Sequence, residues 1–198
     1  MSEIDEHPPV ALVRFPPAAT HPIIVRFEGV EIEAAICARQ TYGAKRDLPP
    51  SRWSVLGVYV LSGLVGDGSR EVSARPGTVQ TRPLLERVDE HFRDAEWWDQ
   101  VILIRRVTRA FDNAETGYLE RLIHDVVDQS AYLRRRAGDN TSNYGGPSSS
   151  DAKADLENRI LPAIKIALRL GGLKIETAAE MTALNDLPTV RRAVGGDL

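Results

Sequence analysis

Cysteine is nearly absent. Cys37 stands alone among 198 residues, which excludes a disulfide framework and any cysteine-based zinc site and fits a reducing, cytoplasmic setting. Long apolar runs are missing too, since none approaches the ~18 residues that cross a bilayer. The opening MSEIDEHPPV is acidic and proline-bearing, where a secretion signal is basic and then apolar. The expectation is therefore neither export nor membrane insertion. No excess of positive charge exists: at a net charge of −3 the chain is not built to coat nucleic acid indiscriminately, although a local basic site is left open. Internal repeats are lacking as well. What is present is a globular composition, 42% hydrophobic and 27% charged, enough for one domain with appendages or two small ones. Of the 25 cations, 21 are arginine, whose planar fork suits phosphate and carboxylate partners.

Residues 1–22 hold five prolines and no period, which predicts an extended arm outside the core. From Ile23 to Cys37, apolar and polar residues alternate on both sides of Glu28-Gly29, the pattern of a β-hairpin closed by a two-residue turn. A polar connector fills residues 39–52. From Trp53 the run SVLGVYVLSG reads as a buried strand, LVGDGS as a turn and REVSA as a short returning strand. Pro83 suits a first helical turn, and Leu84, Leu85, Val88 and Phe92 then share one face. VILIRRV at 101–107 predicts a third strand. Asn113 is the expected cap of a helix whose core face is Leu119, Leu122, Ile123, Val126 and Val127. The stretch RRRAGDNTSNYGGPSSS is a loop by composition. Beyond it, Asp151 is expected to cap a last long helix with apolar positions Leu156, Ile160, Leu161, Ile164 and Leu168; Pro162 should kink it and Gly171-Gly172 end it. Thr177 with Glu180 forms a capping-box pattern for a short terminal helix.

Gly57-Val58-Tyr59 on a first strand, a short second strand, a helix with Arg87 and His91 four apart, Tyr118-Leu119-Glu120-Arg121-Leu122-Ile123 on a later helix, and Asn140 in the loop beyond it make an ordered set. In that order the chain resembles the GIY-YIG nuclease domain across residues 53–172. The resemblance implies an α+β fold, a small three-stranded antiparallel sheet flanked by helices. Residues 1–52 are then an N-terminal arm and β-hairpin extension, and residues 173–198 a C-terminal tail. It also implies cleavage of DNA phosphodiester bonds with Mg²⁺ or Mn²⁺.

The same residues can be weighed by their chemistry. Phosphodiester hydrolysis needs a group that orients or deprotonates water, a cation facing the phosphate oxygens, and an acidic ligand that holds a metal near the leaving oxygen. By the resemblance Tyr59 activates the water, helped by His91; a phenol titrates near ~10 and needs a nearby cation or metal to act as a base. Taken alone, a strand tyrosine is more often a core or rim residue. Arg87 and His91, at i and i+4, share a helix face and can converge on one oxygen, whereas Arg82, followed by Pro83, points nearly opposite at 100° per residue. The plain alternative pairs Arg87 with Glu86 or Glu90 on a solvated edge. Glu120 lies on the flank of its helix, where one carboxylate plus waters suffices for Mg²⁺; its plain alternative is a contact with His124. Asn140, by resemblance, orders the loop beside the site, and it equally suits a turn. Trp97-Trp98 falls where the family carries bulky aromatics.

One departure stands out. Where the family has its second tyrosine motif, the sequence offers Val72-Ser73-Ala74, so a hydroxyl is missing and the glycine is replaced by Ala74. Arg105, Arg106, Arg109 and Arg134 to Arg136 can contact a DNA backbone, yet residues 70–136 hold twelve Arg against twelve Asp or Glu, the balance of a solvated surface. Three readings follow: a GIY-YIG-type endonuclease, a module of that fold that binds nucleic acid without turnover, and an interaction domain whose arginines face acidic partners.

Overall fold

Alternation in the hairpin segment produces the strands the sequence implies, but they join a larger sheet than expected. The computed structural model describes residues 9–15, 21–43, 48–64, 72–78, 82–136 and 146–180. Seven strands are formed: β1 (Ala11–Arg14), β2 (Ile23–Phe27), β3 (Val30–Ala38), β4 (Val58–Leu64), β5 (Val72–Thr78), β6 (Gln100–Arg106) and β7 (Leu133–Arg135). Their order is β1-β2-β3-β6-β4-β5-β7, antiparallel except for the parallel β5–β7 pair. The expected three-stranded sheet is thus corrected to a seven-stranded mixed one. The three strands foreseen from residue 53 onward lie side by side within it, as β5-β4-β6. The N-terminal hairpin continues that sheet through seven paired positions between β3 and β6, from Ile32↔Arg106 to Ala38↔Gln100.

Helices cover both faces. On one side lie α1 (Arg39–Tyr42), α2 (Pro50–Trp53) and α3 (Leu84–Asp94), whose Tyr42, Trp53, Leu84, Leu85 and Val88 pack on Ala35, Tyr59, Leu61 and Leu103. On the other lie α4 (Asn113–Gln129), α5 (Ser150–Asp155), a π-helical turn (Leu156–Ile160) and α6 (Leu161–Leu170), packed on Val25, Ala34, Val58, Val60, Ala74, Ile102 and Ile104. Burial on both faces makes the central strands almost continuously apolar rather than alternating. Gly29 closes the β2–β3 turn at φ 68°, a left-handed conformation that glycine adopts freely.

Several boundaries differ for identifiable reasons. The arm is not wholly outside the core, because Ala11–Arg14 pairs with β2 as an edge strand. Trp53 ends α2 rather than opening a strand; it is buried beneath the Arg105 guanidinium, 5.2 Å away. α4 is capped by Asp112 instead of Asn113, because Glu115 at the third helical position returns the capping box. Ser149, not Asp151, caps α5. Ahead of Pro162 the last helix widens into the π turn, which accommodates a residue that lacks an N–H and crowds the preceding carbonyls. The loop after α4 begins with β7. Thr177 and Glu180 complete their capping box through Thr177 N–H to Glu180 at 2.7 Å and Glu180 N–H to Thr177 at 3.2 Å. Among the described residues no helix is long and apolar enough to cross a membrane.

Candidate active site

The site is built around Tyr59. It sits second on β4, opposite Leu103 of β6 and Gly77 of β5, with its ring on the α3 face. Its hydroxyl is 2.7 Å from His91 Nε2 on the last turn of α3, and the two rings are 5.4 Å apart. His91 is buried, and its backbone carbonyl accepts the Trp98 indole N–H at 3.2 Å, which ties the end of α3 to the sheet. Gly77 makes the arrangement possible: a Cβ there would overlap the Tyr59 hydroxyl and lie 2.8 Å from ring carbon Cε2. Gly57 is likewise fixed by close approach, to the Ile104 carbonyl.

Arg87 lies one turn before His91 on α3, and its charge opposes the rise of the Tyr59 pKa. It donates to Glu90 at 2.7 Å, so the plain pairing weighed from the sequence occurs. Arg82 needs correction. It precedes α3 and its Pro83 cap, so the helical angle does not govern it, and it pairs with the same Glu90. Burial raises the Tyr59 pKa; Arg87 and Arg75 oppose that rise and Glu120 adds to it. The phenol is therefore neutral at pH 7.

Arg87 and Glu120 are carried by helices on opposite faces of the sheet, yet both charges act on the Tyr59 phenol. Glu120 Oε1 is also 4.0 Å from His124 Nε2. Burial pushes the His124 pKa down, with Arg135 and Arg75 adding to it, so at neutral pH that contact joins a carboxylate to an uncharged imidazole. Asn140 lies outside the described residues.

The stretch Val72-Ser73-Ala74 lies at the far end of the hairpin from Tyr59. Val72 pairs with Leu64, and Val72 and Ala74 pack on the α4 face, away from Tyr59. The residues that share Tyr59's face are Ser73, Arg75 and Gly77, and the glycine beside the tyrosine is Gly77 rather than a lost residue at 74. Arg75, half-buried, stands one alternation before that glycine. Its signal was present in the period-two pattern of β5, but the pattern does not reveal register across a turn.

The other arginine clusters have structural duties. Arg105 is buried, with 3.1 and 2.8 Å contacts to Glu33, and Glu33 also binds Arg26 and Arg52. Arg106 is buried between Glu115 and Asp155, each at 3.1 Å, and Arg109 pairs with Glu115. Arg105 and Arg106 are therefore not backbone-contacting surface cations, whereas Arg109 is exposed. Arg135 pairs with Asp128 at 3.1 Å, and Arg136 lies 4.5 Å over the Trp97 ring. A hollow of about 520 Å³ bounded by Phe27, Glu31, Arg106, Asp155 and Arg159 lies on the α4 side of the sheet, away from Tyr59's face.

Among the described residues no three His, Cys, Asp or Glu side chains gather as a ready-made metal cage. Glu120, on α4, is a single carboxylate of the kind that can hold Mg²⁺ or Mn²⁺ together with waters rather than in a closed protein site. No family model, curated protein or solved structure matches the chain.

Proposed function

We propose that this chain is a divalent-metal-dependent endonuclease of the GIY-YIG type, hydrolysing phosphodiester bonds of DNA. The observation that carries the reading is the buried Tyr59 hydroxyl, 2.7 Å from His91 Nε2, with Arg87 one turn before His91 on the same helix. A core tyrosine needs one hydrogen-bond partner. One that shares its hydroxyl with a buried imidazole, with Arg87 on the same helix and Arg75 on the same sheet face, has groups that a hydrolytic site requires.

In this reading Tyr59 orients the attacking water. As the water oxygen bonds to phosphorus, the phenol takes the water's proton and passes its own to His91; the P–O bond to the leaving nucleotide breaks and that oxygen is protonated from solvent. The neutral phenol makes such a relay necessary, because a free phenolate is not populated at pH 7. Arg87 faces the phosphate oxygens, where a cation contributes more as charge develops. Glu120 would hold Mg²⁺ or Mn²⁺, which supplies positive charge to the phosphate.

The test is nicking of supercoiled plasmid and cutting of branched DNA with either metal. Tyr59→Phe should lower the rate by about 100-fold or more, and unchanged cleavage in that variant would end the reading. A second reading, a module that binds nucleic acid without turnover, is favoured by Arg75: where the family carries its second tyrosine, counting back from Gly77, this chain has a cation and no hydroxyl. Binding without cleavage in every metal would select it.

A further inference from the structure

We propose that Arg75 is a second phosphate-binding residue, which with Arg87 grips one phosphate of a nucleic acid beside Tyr59. The inference rests on the nucleic-acid reading above and adds to it a residue outside the expected set. Its basis is the strand register. Tyr59 pairs with Gly77 and Leu61 with Arg75, so Arg75 projects on Tyr59's face, one alternation along, with only the side-chain-free Gly77 beside the tyrosine. Arg75 is half-buried, as suits an arginine whose stem packs on the protein while its head meets a charged partner.

The neighbourhood fits an anion with several oxygens. β7 covers the outer edge of β5 only from Val72 to Ala74, and the Arg136 N–H bonds the Ala74 carbonyl at 3.0 Å where that pairing stops. From Arg75 to Thr78, no strand among the described residues lies on that edge. Arg87 comes from α3 on the same face, its guanidinium braced by Glu90 at 2.7 Å. Two planar forks on either side of one phenol can each take non-bridging oxygens of a single phosphate, a geometry that one arginine and one hydroxyl would not supply. The substitution exchanges a group that positions water for one that binds charge, so it strengthens the ground-state complex first.

Binding of a labelled duplex of about 20 base pairs, followed by anisotropy in EDTA between about 50 and 200 mM salt, tests the grip without cleavage. Arg75→Ala should weaken binding about tenfold and flatten the salt slope by about 0.9, the value for one phosphate contact. Arg87→Ala should do the same, and the double variant should lose less than the product of the two, because both residues serve one phosphate. Arg75→Lys, which keeps the charge and loses the fork, should retain the slope with a loss of a few fold, and it replaces the alanine variant if that one fails to fold. Wild-type affinity and slope in a folded Arg75→Ala would overturn the proposal while leaving the nuclease reading intact. Losses that multiply, with slopes that add, would mean two separate phosphates and would overturn the single-phosphate grip. If the wild-type protein binds no duplex at any salt, the nucleic-acid reading itself fails, and the grip with it.

Discussion

Gly77→Ala adds one methyl group at the place where β5 passes the Tyr59 ring. The new Cβ would sit 2.8 Å from Cε2 and closer still to Cζ and the hydroxyl, whereas carbon atoms rest at about 3.5–4.0 Å. The ring must shift by about 1 Å, and it is held by His91 and faced by Leu103 on the neighbouring strand. Overpacking of this kind costs about 1–3 kcal/mol, or about 2–12 °C in Tm for a chain of this size. The displaced hydroxyl also loses its bond to His91. Thermal unfolding followed by circular dichroism measures the first effect, and the His91 imidazole resonances report the second. Tyr59→Leu in the Gly77→Ala background should recover stability, because the shorter side chain vacates the space the methyl needs. The two changes should therefore be less costly together than their sum. A folded Gly77→Ala with wild-type Tm and unshifted His91 signals would show that the strand pairing of Tyr59 with Gly77 is wrong.

Val72→Tyr should leave cleavage unchanged, since position 72 faces α4 and pairs with Leu64; a rate increase in Val72→Tyr would refute that register. Glu33→Ala should destabilise by about 3–5 kcal/mol in urea unfolding, because it leaves the buried Arg105 without its carboxylate; a loss below 1 kcal/mol would mean that Arg105 finds water. Burial raises the pKa values of Tyr59 and Tyr42 above the usual phenol range and pushes the Cys37 thiol up to about 12 from 9.0. Groups raised on folding stabilise below their unfolded pKa and lose that contribution as pH rises. The urea midpoint should therefore fall steadily above pH 9, less steeply in Tyr59→Phe; a flat profile up to about pH 11 would contradict the burial.

The parts of the site that were legible in the sequence are those set by local period. The shared face of Arg87 and His91 follows from spacing on one helix, whereas Tyr59 is singled out by the resemblance, the pattern alone giving only its strand. Arg75 was missed because the alternation of β5 gives two faces but not the register, which is fixed by pairing across the β4–β5 turn. The size of the sheet was missed for a similar reason. Ala11–Arg14 is a four-residue edge strand whose proline-rich surroundings hide it, and it exists through its pairing with β2. The burial of Arg105 is not legible because its partner is remote: Glu33 is 72 positions away, a separation at which charge patterning carries no information.

Cleavage and binding by Glu120→Gln test the central claim most directly. The substitution keeps the shape of the side chain and removes the charge that would hold the metal. With Mg²⁺ or Mn²⁺, the wild-type protein should nick supercoiled DNA and Glu120→Gln should be slower by several orders of magnitude, while duplex affinity in EDTA stays level or rises as a negative charge near the phosphate disappears. Equal cleavage by the two proteins, or no cleavage by the wild type in either metal, would contradict the endonuclease account.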